Sequence, residues 1–147
     1  MFEENKAITR RFVQECWNKG KLDCLEDLVS PDCRLHDPVF PSLGPGVESL
    51  ERHIRMCRNA FPDLTFTIDD IIAERDEVVI HWTASGTQEG KFLGVLPTNR
   101  MAAVSGTSIY KIKNGRICEQ WTEWNLLTLL EQLGGTSAVK AAVATAG

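Results

Sequence analysis

Near the N-terminus the apolar positions fall at helical spacing. Ile8, Phe12 and Cys16 recur every fourth residue between Glu3 and Lys19, with Val13 and Trp17 beside them. That stripe predicts an amphipathic helix closed by Gly20. A short second helix follows Leu22-Asp23, turns Leu25, Leu28 and Val29 inward, and ends before Pro31. Cys33 to Asp37 reads as a short strand running into a turn at Pro38. Pro41, Gly44, Pro45 and Gly46 then form a loop of breakers. A third helix is predicted over Val47 to Ala60, with Val47, Leu50, Ile54 and Cys57 on one face and Phe61-Pro62-Asp63 as its stop.

Beyond this point the period changes to two. Leu64, Phe66 and Ile68 alternate with Thr65, Thr67 and Asp69, a strand pattern that ends at Asp69-Asp70. After a turn at Asp76-Glu77, Val78, Ile80, Trp82 and Ala84 share one face of a second strand, with His81 on the other. A polar, Gly-rich connection covers Gln88 to Arg100. Long strands are predicted over Met101 to Lys113 and Arg116 to Asn125, joined at Asn114-Gly115, the strongest short hairpin signal. Leu126 to Leu133 closes as a helix or turn. Residues 1–134 therefore read as one domain, and the Ala-rich stretch 135–147 as a frayed helix or disorder. Helices followed by long strands define an α+β fold. The expected form is a cone-shaped, curved antiparallel sheet with three N-terminal helices on its concave face. A small-molecule cavity is expected between the layers.

The hairpin sets an expected register. A two-residue turn pairs Lys113 with Arg116, Tyr110 with Glu119, Ser108 with Trp121 and Gly106 with Glu123. Ile112, Tyr110, Ile117, Glu119, Trp121, Glu123 and Asn125 then share one face. Cys118, Gln120, Thr122 and Trp124 fall on the other, where a second copy of the chain could cover Trp124. A carboxylate on the aromatic face would have a raised pKa through desolvation and could move a proton near neutrality. Glu119 and Glu123 are the candidates. His36-Asp37, before Pro38, could supply a base and the group that orients it.

Composition narrows the function classes. The chain has 147 residues and a net charge of −4, without a basic stripe, so neither nucleic acid nor an anionic membrane is an expected partner. No apolar run approaches the ~20 residues that span a bilayer, and the first residues lack a signal-peptide pattern. Five cysteines without a Cys-x-x-Cys pair suit a reducing cytoplasm better than a disulfide or zinc framework. His53 and Cys57 share a helical face, but two ligands make no metal site. No Gly-rich phosphate loop or serine nucleophile elbow is present. Neither a metal nor an organic cofactor is expected.

Several short segments occur together in an order typical of one family. They are Leu35-His36-Asp37-Pro38, Ala60-Phe61-Pro62-Asp63-Leu64, Ser85-Gly86-Thr87-Gln88-Glu89-Gly90, Phe92-Leu93-Gly94, Pro97-Thr98-Asn99-Arg100, Asn114-Gly115-Arg116-Ile117, Glu119-Gln120-Trp121 and Gln132-Leu133-Gly134. On these segments the chain resembles the SnoaL-type polyketide cyclases, within the nuclear-transport-factor-2-like and ketosteroid-isomerase-like cone folds. The resemblance implies a cofactor-independent intramolecular aldol condensation with an aspartate as acid/base in a Trp-x-x-x-Asp pattern. Here that pattern ends in Asn125, and Gln88 stands where the family's Gly-Thr-His-x-Gly carries histidine. An amide cannot act as a general base at neutral pH. The resemblance then leaves Glu123 or His36-Asp37 as acid/base and Asn125 as a hydrogen-bonding group. Trp82, Tyr110, Trp121, Glu119, Gln88 and Phe61 would contact a hydrophobic substrate. Three readings stay open: an enzyme acting next to a carbonyl, an accessory protein that only binds such ligands, and a structural module. A homodimer through the sheet fits all three.

Overall fold

The N-terminal helical stripe changes pitch partway along. In the computed structural model, which describes residues 1–134, α1 spans Phe2–Arg11 and continues as a π-helical segment over Phe12–Asn18. There Lys19 N–H reaches back five residues to the Gln14 carbonyl at 3.1 Å. The wider turn brings Phe12, Val13, Cys16 and Trp17 all inward, where they are buried. Gly20, at φ +66°, ends the run.

The second helix is shorter than expected. One 3₁₀ turn leads into α2, Leu25–Leu28, and Val29 already opens β1, Val29–His36. Pro31 is tolerated inside β1 because this strand lies at an edge of the sheet, in the order β1-β5-β4-β3-β2. α3 spans Val47–Ala60 and buries Leu50 and Ile54 completely. Arg58 ties its C-terminal end down by donating to the carbonyls of Trp17 (2.8 Å) and Leu64 (3.2 Å).

β2 (Thr65–Glu74), β3 (Glu77–Thr87), β4 (Met101–Lys113) and β5 (Arg116–Trp124) form antiparallel neighbours. β2 runs past its expected end, because an irregularity between Ile68 and Asp70 absorbs the acidic pair. β1 pairs with β5 in parallel, so the sheet is mixed rather than antiparallel. A parallel neighbour needs a long crossover, supplied here by α3 and the rest of the sheet.

The helices pack Phe12, Leu25, Leu28 and Ile54 against Val78, Ile80, Tyr110, Ile112 and Ile117 of the sheet. α4, Leu126–Leu133, builds a second cluster with Phe61, Phe92 and Ala102. Both clusters contribute walls to one cavity. No helix among the described residues is long and apolar enough to cross a membrane. The stretch expected to be frayed or disordered, 135–147, lies outside the described residues.

Candidate active site

A single extra residue decides which side chains meet in the cavity. The hairpin turn is as expected, with Asn114 at φ +53°, Gly115 at φ +76°, and Lys113 opposite Arg116. Ile112 then faces Ile117, but Lys111 faces Glu119, so Cys118 is a one-residue bulge. Beyond it Tyr110 opposes Gln120, Ser108 opposes Thr122 and Gly106 opposes Trp124. Because strand side chains alternate, the slip exchanges the two faces of β5. Gln120, Thr122 and Trp124 line the cavity with Tyr110 and Ser108. Glu119, Trp121 and Glu123 point away from it, contrary to the expected shared face.

Each displaced residue has a clear position. Glu119 is 8% exposed on the outer side, held by Arg34 Nη2 at 2.8 Å and His36 Nε2 at 2.7 Å. The His36 hydrogen bond, with Arg34 behind it, pulls its carboxyl below the ordinary glutamate value. His36 stacks on Trp121 with ring centroids 5.4 Å apart. Glu123 is exposed. Asn125 is exposed too and caps α4, its Oδ1 accepting from Thr128 N–H at 3.1 Å. The outer face expected to meet a second copy carries Trp121, Ile109, Val79 and Ile72 in one cross-strand row, and not Trp124.

Gln88 is fully buried but faces the connection that follows β3 rather than the cavity. Its Nε2 donates to the carbonyls of Gly90 (3.1 Å) and Val95 (2.9 Å), and its Oε1 accepts from Thr98 Oγ1 at 2.9 Å. Those bonds fix the segment that presents Phe92 to the cavity. Gln88→Leu should lower stability by about 1–3 kcal/mol, because it removes the side-chain donor to the Gly90 and Val95 carbonyls, the latter keeping only Phe92 N–H, and leaves Thr98 Oγ1 without its acceptor. Urea unfolding measures this, and an unchanged midpoint would contradict it.

The cavity takes in about 870 Å³, including its open mouth. Its walls are mainly apolar, with Trp82, Phe61, Phe66, Phe92, Val104 and Leu129 among them. Tyr110 is buried in the floor, and burial raises its hydroxyl pKa, so it stays protonated. Among the described residues, one carboxylate lines this cavity, that of Asp37. Its neighbour His36 points outward because consecutive residues at a strand end face opposite ways, so the two do not form a base and orienter. Asp37 Oδ1 accepts from Val39 N–H at 2.9 Å, and Oδ2 accepts from Trp124 Nε1 at 3.3 Å. Desolvation nevertheless outweighs these bonds and raises its pKa above the ordinary aspartate value.

His53 and Cys57 also line the cavity, with Nε2 and Sγ 4.0 Å apart. Burial pushes the His53 imidazole down to about 4, so it is neutral at pH 7. Burial, and then the charge of Asp37, pushes the Cys57 thiol up to about 12, which leaves it a poor nucleophile. Among the described residues no group of three or more His, Cys, Asp or Glu is arranged to hold a metal ion. Sequence reasoning placed Trp82, Tyr110, Phe61 and Asp37 among the site residues, and all four line the cavity. It missed Ser108, Gln120, Thr122 and Trp124 as lining residues. The available signal was the mixed polarity of the face it assembled.

A helix-covered mixed sheet around an apolar cavity, with a desolvated acid on its wall, defines a fold of the cone-shaped α+β class. Residues 7–133 match the family of SnoaL-like polyketide cyclases, and the chain belongs to that family. Among solved structures it is similar to TsrD from Streptomyces laurentii, with 29% identity and a TM-score of 0.82 over 90% of this chain and 96% of that one. AclR from Streptomyces galilaeus, described as a candidate hydroxylase, shares 27% identity at a TM-score of 0.79, covering 91% and 98%. IdmH from Streptomyces antibioticus, described as a candidate polyketide cyclase, shares 30% identity at a TM-score of 0.77, covering 88% and 98%. A search of curated proteins finds no match.

Proposed function

We propose that the protein is a cofactor-independent acid/base enzyme acting on a flat, hydrophobic carbonyl compound of polyketide type, by aldol cyclisation or isomerisation. The observation that carries this reading is the placement of Asp37, a carboxylate with a raised pKa on the wall of an apolar cavity. Ionised Asp37 takes a proton from the carbon next to a substrate carbonyl and leaves an enolate. In a cyclisation the enolate carbon bonds to a second carbonyl carbon of the same molecule. The new alkoxide recovers the proton from Asp37, and the carboxylate is regenerated. The neutral His53 places no cation beside Asp37 that would weaken it as a base.

The test needs no knowledge of the natural substrate. The probe is 2-tetralone, a bicyclic aromatic ketone, with exchange of its α-protons followed by NMR in D₂O. The protein should accelerate exchange above the buffer rate. The second reading is an accessory protein that binds such ligands without turnover. It is favoured by the bonds both Asp37 oxygens already make, to Val39 N–H and Trp124 Nε1. Saturable binding of 2-tetralone without accelerated exchange would select it.

A further inference from the structure

The cavity floor holds a second polar feature, remote in kind from Asp37 and unused by the mechanism above. Trp82 Nε1 donates to Ser108 Oγ at 3.0 Å, in a setting where Ser108 is 2% exposed. Ser108 Oγ and Thr122 Oγ1 lie 3.0 Å apart and share one hydrogen bond. Gln120 Nε2 donates to Thr122 Oγ1 at 3.3 Å. Gln120 Oε1 is buried and has no hydrogen-bond partner among the described residues. All four residues line the cavity.

Counting donors shows what is missing. An indole N–H only donates, so Ser108 must accept from Trp82. The two hydroxyls bring two protons, and the bond between them consumes one. The Tyr110 hydroxyl, which also hydrogen-bonds Ser108, adds one proton and one bond, so the three hydroxyls together keep one unspent proton near the unpaired Gln120 carbonyl oxygen. A buried acceptor without a partner is costly, and natural proteins seldom leave one unless something else satisfies it. A single ligand hydroxyl answers both needs: it donates to Gln120 Oε1 and accepts the remaining proton of the Ser108, Thr122 and Tyr110 hydroxyls. A ligand ether or a bare hydrocarbon cannot do both.

We infer that the Ser108–Thr122–Gln120 floor is a binding subsite for a phenolic or enolic hydroxyl carried on a flat aromatic body. This rests on the reading of the cavity as a small-molecule site, and it deepens that reading by naming the ligand class. It does not depend on turnover, because a non-catalytic binding protein would carry the same subsite.

The test compares 2-naphthol with 2-methoxynaphthalene, which has the same rings but no hydroxyl proton, by NMR titration of the full chain. The wild type should bind 2-naphthol at least about 10-fold more tightly. Gln120→Leu should shrink that preference to less than about 2-fold and leave 2-methoxynaphthalene binding as strong or stronger. Thr122→Val, nearly isosteric, should reduce the preference as well. Thermal melting of both variants confirms that they fold. Equal affinity of the wild type for the two probes, or a preference that survives Gln120→Leu, would overturn the inference. If neither probe binds, the inference and the small-molecule reading fall together. If 2-naphthol is preferred but 2-tetralone exchange is not accelerated, the subsite stands and the enzymatic reading fails.

Discussion

Replacing Asp37 with asparagine is expected to slow α-proton exchange of 2-tetralone at least ~100-fold, because general acid–base groups typically contribute 10²–10⁴-fold. The amide keeps the shape of the carboxylate, and its oxygen can still accept from Val39 N–H or Trp124 Nε1. It has no basicity at neutral pH. Binding of the ketone should therefore persist while its exchange disappears. The same variant carries a stability signature that separates chemistry from unfolding. The folded-state pKa of Asp37 is raised by burial, so its proton is held more tightly in the folded chain. That stabilisation is fully present below the unfolded value of about 3.9 and is lost as pH rises through the folded value. At pH 7 the ionised group is a burden on the fold, and Asp37→Asn should melt no lower than the wild type. A variant that melts normally and exchanges normally would remove Asp37 from the mechanism.

Gly106→Ala is expected to damage both the fold and the cavity. Gly106 lies between Trp82 on β3 and Trp124 on β5 in one cross-strand row. With no side chain there, the Trp82 indole lies across the backbone and reaches Ser108. A Cβ at this position would come within 2.6 Å of Cη2 and 2.8 Å of Cε2 of that ring. The ring is large, rigid and hydrogen-bonded, so it cannot give by a few tenths of an ångström as a flexible side chain would. Overpacking of this kind costs typically 1–3 kcal/mol. A loss of about 2–3 kcal/mol corresponds to a fall in melting temperature of roughly 10 °C for a chain of this size. The displaced indole also leaves Ser108, so probe binding should weaken. Melting within about 2 °C of the wild type would show that the ring adapts and would refute the packing argument.

Much of the architecture is legible because its signals are local. The i, i+3, i+4 stripe of Val47, Leu50, Ile54 and Cys57 and the Phe61-Pro62 stop bound α3 where the structure has it. The alternation of Val78, Ile80, Trp82 and Ala84 assigns the buried face of β3 correctly. Asn114-Gly115 places the hairpin turn. Departures arise where one residue changes a phase. The Cys118 bulge leaves the turn untouched and yet reverses every later side chain of β5. The sequence does carry a trace of it: unbroken alternation puts Ile117 and Glu119 on one face, an apolar core residue beside a carboxylate. The bulge resolves that conflict by sending Ile117 inward and Glu119 outward to Arg34 and His36. The π-helical segment and the parallel pairing of β1 are tertiary outcomes, set by how Trp17 packs and by which edge of the sheet is free. The candidate site follows the same division. Trp82, Tyr110 and Phe61 are readable from pattern, Gln120 and Thr122 only after the bulge is known. Asp37 is suggested by sequence, but its separation from His36 is a matter of which way each residue faces.

The proposed chemistry depends on a carboxylate kept partly dry by its cavity. The most direct measurement is a ¹³C NMR titration of protein labelled at aspartate carboxyl carbons, with the Asp37 signal assigned by its absence in Asp37→Asn. The prediction is a midpoint clearly above the ordinary aspartate value of about 3.9, rising further when 2-methoxynaphthalene fills the cavity and displaces water. A midpoint at or below that ordinary value would contradict the account.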